Sequence, residues 1–332
     1  MNIVRKPFVV AVVLFGLLLL VPAFSSQYLI HIGVMVFLYA YLATAWNILG
    51  GYAGQHSLGH GLFLGIGAYT STYLFVRMGL TPWLGMWVGG LIAAAAGWFI
   101  GYLCFRYGIK GPYFALVTIA LAEAAVYVAA NIQAIGGAGG LEVPWKGNDP
   151  LIMEFGSKAG YYYVALFFAF LGVVLAIWIA RSRFGYYLIS VRENEDAAEA
   201  LGVNTMKAKL QAATLSAFMT ALGGTIYAQY FTYMNPHSVF GEGPSVQILL
   251  FAIIGGIGTV WGPLVGAVIL VPIAELTRAY LTGSFAGADL LIYGLILILV
   301  MLFMPRGILG ALEPLWKGKR TKEVANEPAG SK

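Results

Sequence analysis

Residues 181–210, RSRFGYYLISVRENEDAAEALGVNTMKAKL, hold nine of the 33 Asp, Glu, Lys and Arg residues of a chain that is otherwise strongly apolar. This is chemistry for recognition rather than bond-making: acids, bases and small residues with no nucleophile–base set among them. Ser190 and Glu193 have capping-box spacing, in which the hydroxyl accepts from the backbone three residues on and the carboxylate reaches back. Glu193, Glu195 and Asp196 then fall in the first turns, where the helix dipole favours negative charge. Gly202 is placed to close the helix, and Thr205 to cap the next. The spacing therefore predicts a helix over 191–201. Ala197, Ala200 and Leu201 gather on one side of it with Ala198 nearby, and Arg192, Glu195 and Glu199 form a charged flank. Small side chains let a partner approach closely and charges fix its orientation. A solvated amphipathic loop lying on the membrane is the alternative.

Polar groups elsewhere are scarce. Gln55, His56, Ser57 and His60 cluster in GGYAGQHSLGHGLFLGIGAY (50–69), which has seven glycines; FAIIGGIGTVWGPLVGAVIL (251–270) has five and a proline. His56 and His60, at i and i+4, invite a metal reading, but no further Cys, His or carboxylate nearby completes a site. Capping of a helix break at the mouth of a pathway fits Gln55, Ser57 and His60 better, and Asn47 can serve similarly. Glu123 sits in an apolar span, where an ionised group costs at least roughly 2.5–3.5 kcal/mol and must find water or a partner. It either lines a pathway or is hydrogen-bonded between helices. Glu275 and Arg278, at i and i+3, can neutralise each other. Gly255 and Gly256 belong to a weak glycine run that is no nucleotide site, and G-x-x-x-x-G-K-[ST] does not occur.

The elements that position these groups are membrane spans. The chain is 60% apolar and 10% charged with a mean hydropathy of +0.82, against about 25% charged in soluble domains. Its apolar runs are long enough for a core of about 30 Å and lack the alternation of barrel strands. An all-α integral membrane protein with about ten transmembrane helices is expected: 8–24, 28–49, 61–77, 83–105, 112–130, 161–180, 207–230, 244–262, 264–282 and 288–304. With the N-terminus inside, only Arg77, Lys146, Lys158 and Arg278 of the 19 Lys and Arg fall off the inner side. That bias places both termini in the cytoplasm. The net charge of +5 is thus a topology signal, not one for nucleic acid. The N-terminal stretch resembles a signal peptide, but the topology closes only if it stays as a first span. Cys104, the only cysteine, lies in a span and reads as a small buried apolar residue. A transmembrane domain over 1–314 is expected, with a cytoplasmic loop at 181–206 and a loop on the opposite, periplasmic side at 131–160. The basic tail 315–332 is expected to satisfy topology and touch anionic lipid.

Gly-interrupted apolar segments in both halves point to broken or re-entrant helices around a midplane pathway, buried in protein or lining a wet cavity. Close helix packing at Gly61-xxx-Gly65 and Gly262-xxx-Gly266 is the other reading, and both can hold.

Asp196-Ala197-Ala198-x-x-x-Gly202 resembles the EAA signature of ABC importer permeases, with Asp for the usual Glu. NILGGYAGQHSLGHGLFLGIGAY, SRFGYYLISVRENEDAAEALGV, IIGGIGTVWGPLVGAV, MPRGILG and Gly111-Pro-Tyr-Phe-Ala115 resemble branched-chain amino acid permeases, and together cover most of 39–310. The resemblance implies a type II ABC importer-like fold and a permease subunit in the bacterial inner membrane. The same resemblance leads one to expect that the subunit has no cofactor, no metal and no enzymatic activity of its own. Its partners would be two ATPase subunits, a second related permease and a periplasmic substrate-binding protein. Arg192, Glu193, Glu195, Asp196, Ala197, Ala198, Glu199, Ala200, Leu201 and Gly202 would form the coupling helix. Asn47, Gln55, Ser57, His60, Glu123, Gly255 and Gly256 are the pathway candidates. Ile135-Gly-Gly-Ala-Gly-Gly departs from the family, which often has a Thr and an Asn there; related permeases carry urea and short amides. An ion-driven secondary transporter, coupled through Glu123 and the histidines, is the competing class.

Overall fold

The computed structural model describes residues 2–281, 294–295, 298 and 307–311. Most of the tenth predicted segment, 288–304, and the whole tail 315–332 lie outside them. The helices are α1 (Asn2–Leu18), α2 (Val21–Phe24), α3 (Gln27–Asn47), α4 (His60–Met78), α5 (Pro82–Arg106), α6 (Pro112–Asn131) and α7 (Lys158–Arg181). They continue with α8 (Arg183–Glu193), α9 (Glu195–Ala200), α10 (Thr205–Phe231), α11 (Pro236–Phe240), α12 (Glu242–Gly256) and α13 (Gly262–Leu281). Among the described residues, five stretches are long and apolar enough to cross a membrane: Gln27–Tyr52, Pro82–Arg106, Pro112–Asn131, Lys158–Arg181 and Pro236–Gly256.

Two helices make the centre. α3 packs against α7, α13, α10 and α12, and α10 against α5, α4 and α3. Both are buried almost all round, as apolarity without a polar face requires. α10 carries Ser216, Thr220 and Thr225 inside, each hydroxyl donating to a backbone carbonyl. Glycine permits its closest crossing. A methyl on Gly67 would meet the Ala221 carbonyl, and one on Gly224 the Leu64 carbonyl, each at about 2 Å, so α4 and α10 touch backbone to backbone. Small residues at such contacts replace the hydrophobic drive that lipid removes. The outer helices α5, α6 and α7 expose Trp87, Leu91, Trp98, Leu116, Val128, Phe167 and Trp178. An apolar surface of that extent requires lipid or another protein against it.

The loops sort to two ends. At one, Lys110 meets Glu195 and Arg192 meets Gly51, uniting 50–60, 106–111 and 181–206. At the other, Leu141–Glu142 (β1) pairs antiparallel with Tyr233–Met234 (β2), and Trp83 Nε1 donates to the Pro150 carbonyl at 2.9 Å.

The glycine-rich segments depart from ordinary spans. α3 passes into a π-helical turn, Ile48–Tyr52, and residues 53–59 are not helical. The predicted span 244–262 is shorter than drawn: α12 begins at Glu242 and stops at Gly256, where φ is +134°, and 257–261 is irregular. Tight packing is present as well, since a methyl on Gly255 would strike the Gly262 carbonyl and one on Gly266 the Phe251 carbonyl.

Candidate functional site: coupling segment, sealed break and cavity

The polar segment 181–206 folds differently from expectation. Ser182 caps α8, its Oγ accepting from Gly185 N–H. Ser190 is not a cap: it lies inside α8 and its hydroxyl donates to the Tyr187 carbonyl, so the predicted capping box is absent. Asn194 takes that role. Its backbone turns extended (φ −161°, ψ 109°), and its Oδ1 accepts from Ala197 N–H at 3.0 Å, starting α9 there. Asparagine is among the strongest N-caps, whereas a mid-helix serine satisfies itself on the preceding turn. The predicted helix 191–201 is therefore two helices with a bend between them. Thr205 likewise is not the next cap: Asn204 Oδ1 accepts from Lys207 N–H, and the Thr205 hydroxyl donates to Glu199.

The other end of α9 is closed as expected. Gly202 has φ +84°; its N–H donates to the Glu199 carbonyl at 2.8 Å, and Val203 N–H to the Ala198 carbonyl at 3.0 Å. These two bonds with a left-handed residue make a Schellman motif.

Burial sorts the segment into a held face and an open one. Ala198, 2% exposed, points into the bundle. So does Glu195, whose carboxylate pairs with the buried Lys209 and, at 2.9 Å, with Lys110; Lys209 Nζ also stands 5.0 Å from the Phe105 ring centre. Burial alone would raise the Glu195 carboxyl, but the two lysines outweigh it and hold it below the usual carboxylate range. The hydrogen bond to Glu195 raises Lys110 above the ordinary lysine value. Thus Glu195 anchors the segment and is not part of an outward flank. Asp196, Ala197, Glu199, Ala200, Leu201 and Gly202 face solvent, with Leu201 85% exposed.

Arg192 links this segment to the broken helices. Its Nη2 meets Glu193 at 2.6 Å, while Nη1 donates to the Gly51 carbonyl at 3.0 Å. A side chain at Gly258 would collide with that guanidinium. Beside it, Asn47 holds the second break with both ends of its amide. Nδ2 donates to the Thr259 carbonyl at 2.9 Å, and Oδ1 accepts from Gly258 N–H at 2.8 Å. The π-turn and the 257–261 turn are thereby stitched together next to Gly255 and Gly256.

The remaining pathway candidates separate. His60 is fully buried, with Nδ1 3.2 Å from Ser57 Oγ and Nε2 2.8 Å from Ser216 Oγ, so both ring nitrogens are occupied and the metal reading loses its ligand. Gln55 donates to the Ala53 carbonyl at 3.2 Å. Glu123 accepts from Glu242 N–H at 3.1 Å, at the first turn of α12, where the dipole favours a carboxylate.

A cavity of about 220 Å³ lies among α3, α10, α11, α12 and α13. Its walls include Met35, Tyr39, Phe251, Val271 and Ala274, with Gln247 and Glu275 as polar members. None of the seven sequence candidates is among its lining residues. Tyr39 donates to Gln247 Oε1 at 2.9 Å, and His31 Nε2 lies 3.4 Å from Glu275; the Arg278 side chain lies outside the described residues. The signal that finds these residues is a polar group inside an apolar span. Sequence spacing obscures it because Tyr39 and Gln247 lie on different helices.

The model of the family described as "Branched-chain amino acid transport system / permease component" matches residues 28–301. The chain therefore belongs to the family of branched-chain amino acid transport permeases. It is 29% identical over 321 residues to the high-affinity branched-chain amino acid transport system permease protein LivM of Escherichia coli K12, covering 90% of this chain and 74% of that one. It is 28% identical over 293 residues to the LivH permease of Salmonella typhimurium (83% and 92% covered). A probable LivM of Methanocaldococcus jannaschii is 23% identical over 213 residues (60% and 61%). No solved structure matches the chain.

Proposed function

We propose that this chain is a membrane-spanning subunit of an ABC importer for branched-chain amino acids in the bacterial inner membrane, with both termini cytoplasmic. It pairs with a second related permease. Two ATP-hydrolysing subunits drive the pair from the cytoplasm, and a periplasmic binding protein delivers substrate. Family membership supports the transport reading, and the open face of α9 carries the rest.

That face is small and open at Ala197, Ala200 and Gly202, with Leu201 projecting and Asp196 and Glu199 beside it. It is also rigid, clamped by the Schellman bonds on one side and by Glu195 on the other. A coupling element must combine both properties: a partner's closure is lost as local bending unless the element moves as a unit. Arg192 then offers the route inward. Movement of α8–α9 carries its guanidinium away from Gly51 and leaves the stitch between the two breaks to Asn47 alone. ATP-driven closure thus shifts the population between a sealed and an open break.

The test is capture of partners by the tagged protein in mild detergent. Wild type should copurify ATP-hydrolysing subunits and a second permease. Ala200→Trp and Leu201→Asp, which alter only exposed positions, should lose the ATP-hydrolysing subunits while keeping the permease. Retention of stimulated ATP hydrolysis in both variants would sink the docking role of α9.

A further inference from the structure

We propose that the groove between α5 and the first half of α10 is a binding site for an anionic phospholipid, with Lys207 and Arg106 holding the phosphate at its mouth and one acyl chain lying along the helices. Placing that mouth on the inner side of the membrane rests on the reading above; the groove and its charges do not.

Size and length set the first limits. The groove has about 700 Å³ and is lined by Ala94 and Trp98 of α5 and by Lys207, Leu210, Leu215 and Phe218 of α10. A cavity of about 150 Å³ holds benzene, about 25 Å³ per heavy atom. At that ratio 700 Å³ takes about 28 non-hydrogen atoms, one acyl chain with its glycerol ester. From Lys207 to Phe218 α10 rises about 16 Å at about 1.5 Å per residue, close to half of a hydrocarbon core of about 30 Å. Trp87 closes the far end, its ring centre 6.0 Å from that of Phe218. The groove therefore spans one leaflet, as a lipid does, whereas a membrane helix of a partner subunit would run the full depth.

Charge sets the next. α5 carries no Asp, Glu, Lys or Arg before Arg106, and α10 none beyond Lys209, so every charge on the two helices is positive and lies at one end. Lys209 is spent on Glu195. Arg106 and Lys207 are exposed and make no ion pair among the described residues. Two carboxylates of α9 that could compensate them are engaged elsewhere, Glu195 by Lys110 and Lys209 and Glu199 by the Thr205 hydroxyl. Trp98, Tyr102 and Arg106 follow at i and i+4 along α5, which puts them on one side of the helix. The Trp98 and Tyr102 rings stack, with centres 5.4 Å apart and planes 14° apart, and such aromatic residues sit at the headgroup level. The order along the groove is cation, aromatic belt, apolar wall, which is the order of a phospholipid from phosphate to chain. Basic pockets between membrane helices take anionic head groups. A zwitterionic lipid, whose own amine offsets its phosphate, gains little from two unpaired cations.

The experiment reconstitutes the full chain into phosphatidylcholine vesicles containing a trace of phosphatidylglycerol or of phosphatidylcholine with a photoactivatable diazirine in the acyl chain. The probe is present in both leaflets, so sidedness does not enter, and labelled residues are mapped by mass spectrometry. Labelling within 94–98 and 206–218 should favour phosphatidylglycerol about thirtyfold, about fivefold for each cation near the surface. Lys207→Gln and Arg106→Gln should each lower that preference about fivefold, and the double variant should abolish it. Ala94→Trp, which fills the groove and keeps both cations, should remove labelling by either lipid. Equal labelling by the two lipids in wild type, or a preference that survives in the double variant, would overturn the site. So would loss of labelling when the second permease is bound, since the groove would then be a subunit interface. Each of these results leaves the transport reading standing, which ATP-driven uptake by the assembled transporter decides separately. If the double variant fails to fold, the wild-type preference and the single variants decide.

Discussion

Replacing Glu195 by alanine leaves Lys209, whose side chain is only 3% exposed, with an ammonium and no carboxylate. Removing one partner of a buried pair costs about 3–5 kcal/mol, most of it the unpaired charge that stays behind. The second pair adds little: Lys110 is half exposed, and such pairs are worth about 0–1 kcal/mol. The Phe105 ring below Lys209 is there in both proteins and cancels, so about 3 kcal/mol or more is expected for Glu195→Ala. Lys209→Met, which leaves Glu195 paired to Lys110 and partly wet, should cost about 1–2 kcal/mol, because its remaining charge is not stranded. The double variant has no charge to strand and should lie close to Lys209→Met, giving a coupling energy of about 2–3 kcal/mol. Reversible unfolding in mixed detergent micelles measures all four corners of the cycle. The sign of the pH dependence follows from the pair. The Glu195 carboxyl is lowered on folding, so its contribution is present above the ordinary carboxylate value and is lost as pH falls through the lowered one. The Lys110 contribution is present below the ordinary lysine value and is lost as pH rises through its raised one. Additive single variants, or a Glu195→Ala protein as stable as wild type at neutral pH, would refute the anchoring argument.

Three further outcomes follow from the same geometry. Gly202→Ala should cost about 1–2 kcal/mol by forcing a Cβ into a left-handed backbone; Gly202→Pro should do more damage by also removing the N–H bonded to Glu199, read as faster proteolysis between 194 and 204. Arg192→Ala should leave partner capture intact yet raise ATP hydrolysis uncoupled from uptake, because the lever is lost and the docking face is not. Gly67→Ala should destabilise the bundle by about 1–3 kcal/mol, since the Ala221 carbonyl occupies the space, and thermal unfolding in detergent reports it.

Much of this architecture is legible in one sequence because lipid leaves few options. Apolar runs mark helices and glycine clusters mark breaks, at 48–59 and 257–261. Gly202 was readable too, since few other residues accept φ +84°. The bend at Asn194 was not, because Ser190 and Asn194 are both competent caps and their choice depends on how α8 packs. Spacing alone also cannot say that Ala198 and Glu195 turn inward while Ala200 and Leu201 turn out. Lys110, some eighty residues away, settles that for Glu195. The pathway candidates show the same limit. Asn47 and His60 are legible as polar residues near breaks, but their partners Gly258, Thr259 and Ser216 come from the other half of the chain; Ser57 meets only its neighbours Gly59 and His60 through its side chain. The cavity residues Tyr39, Gln247 and Glu275 converge only in three dimensions.

The most direct test of the central claim is site-directed crosslinking from α9 in membranes containing the whole transporter. A chain with Cys104→Ser and Ala200→Cys should crosslink to an ATP-hydrolysing subunit, and the yield should change when ATP is trapped. Cysteine at Ala198, which faces the bundle, should not crosslink. Equal crosslinking from both positions, or none from position 200 while uptake persists, would contradict the account.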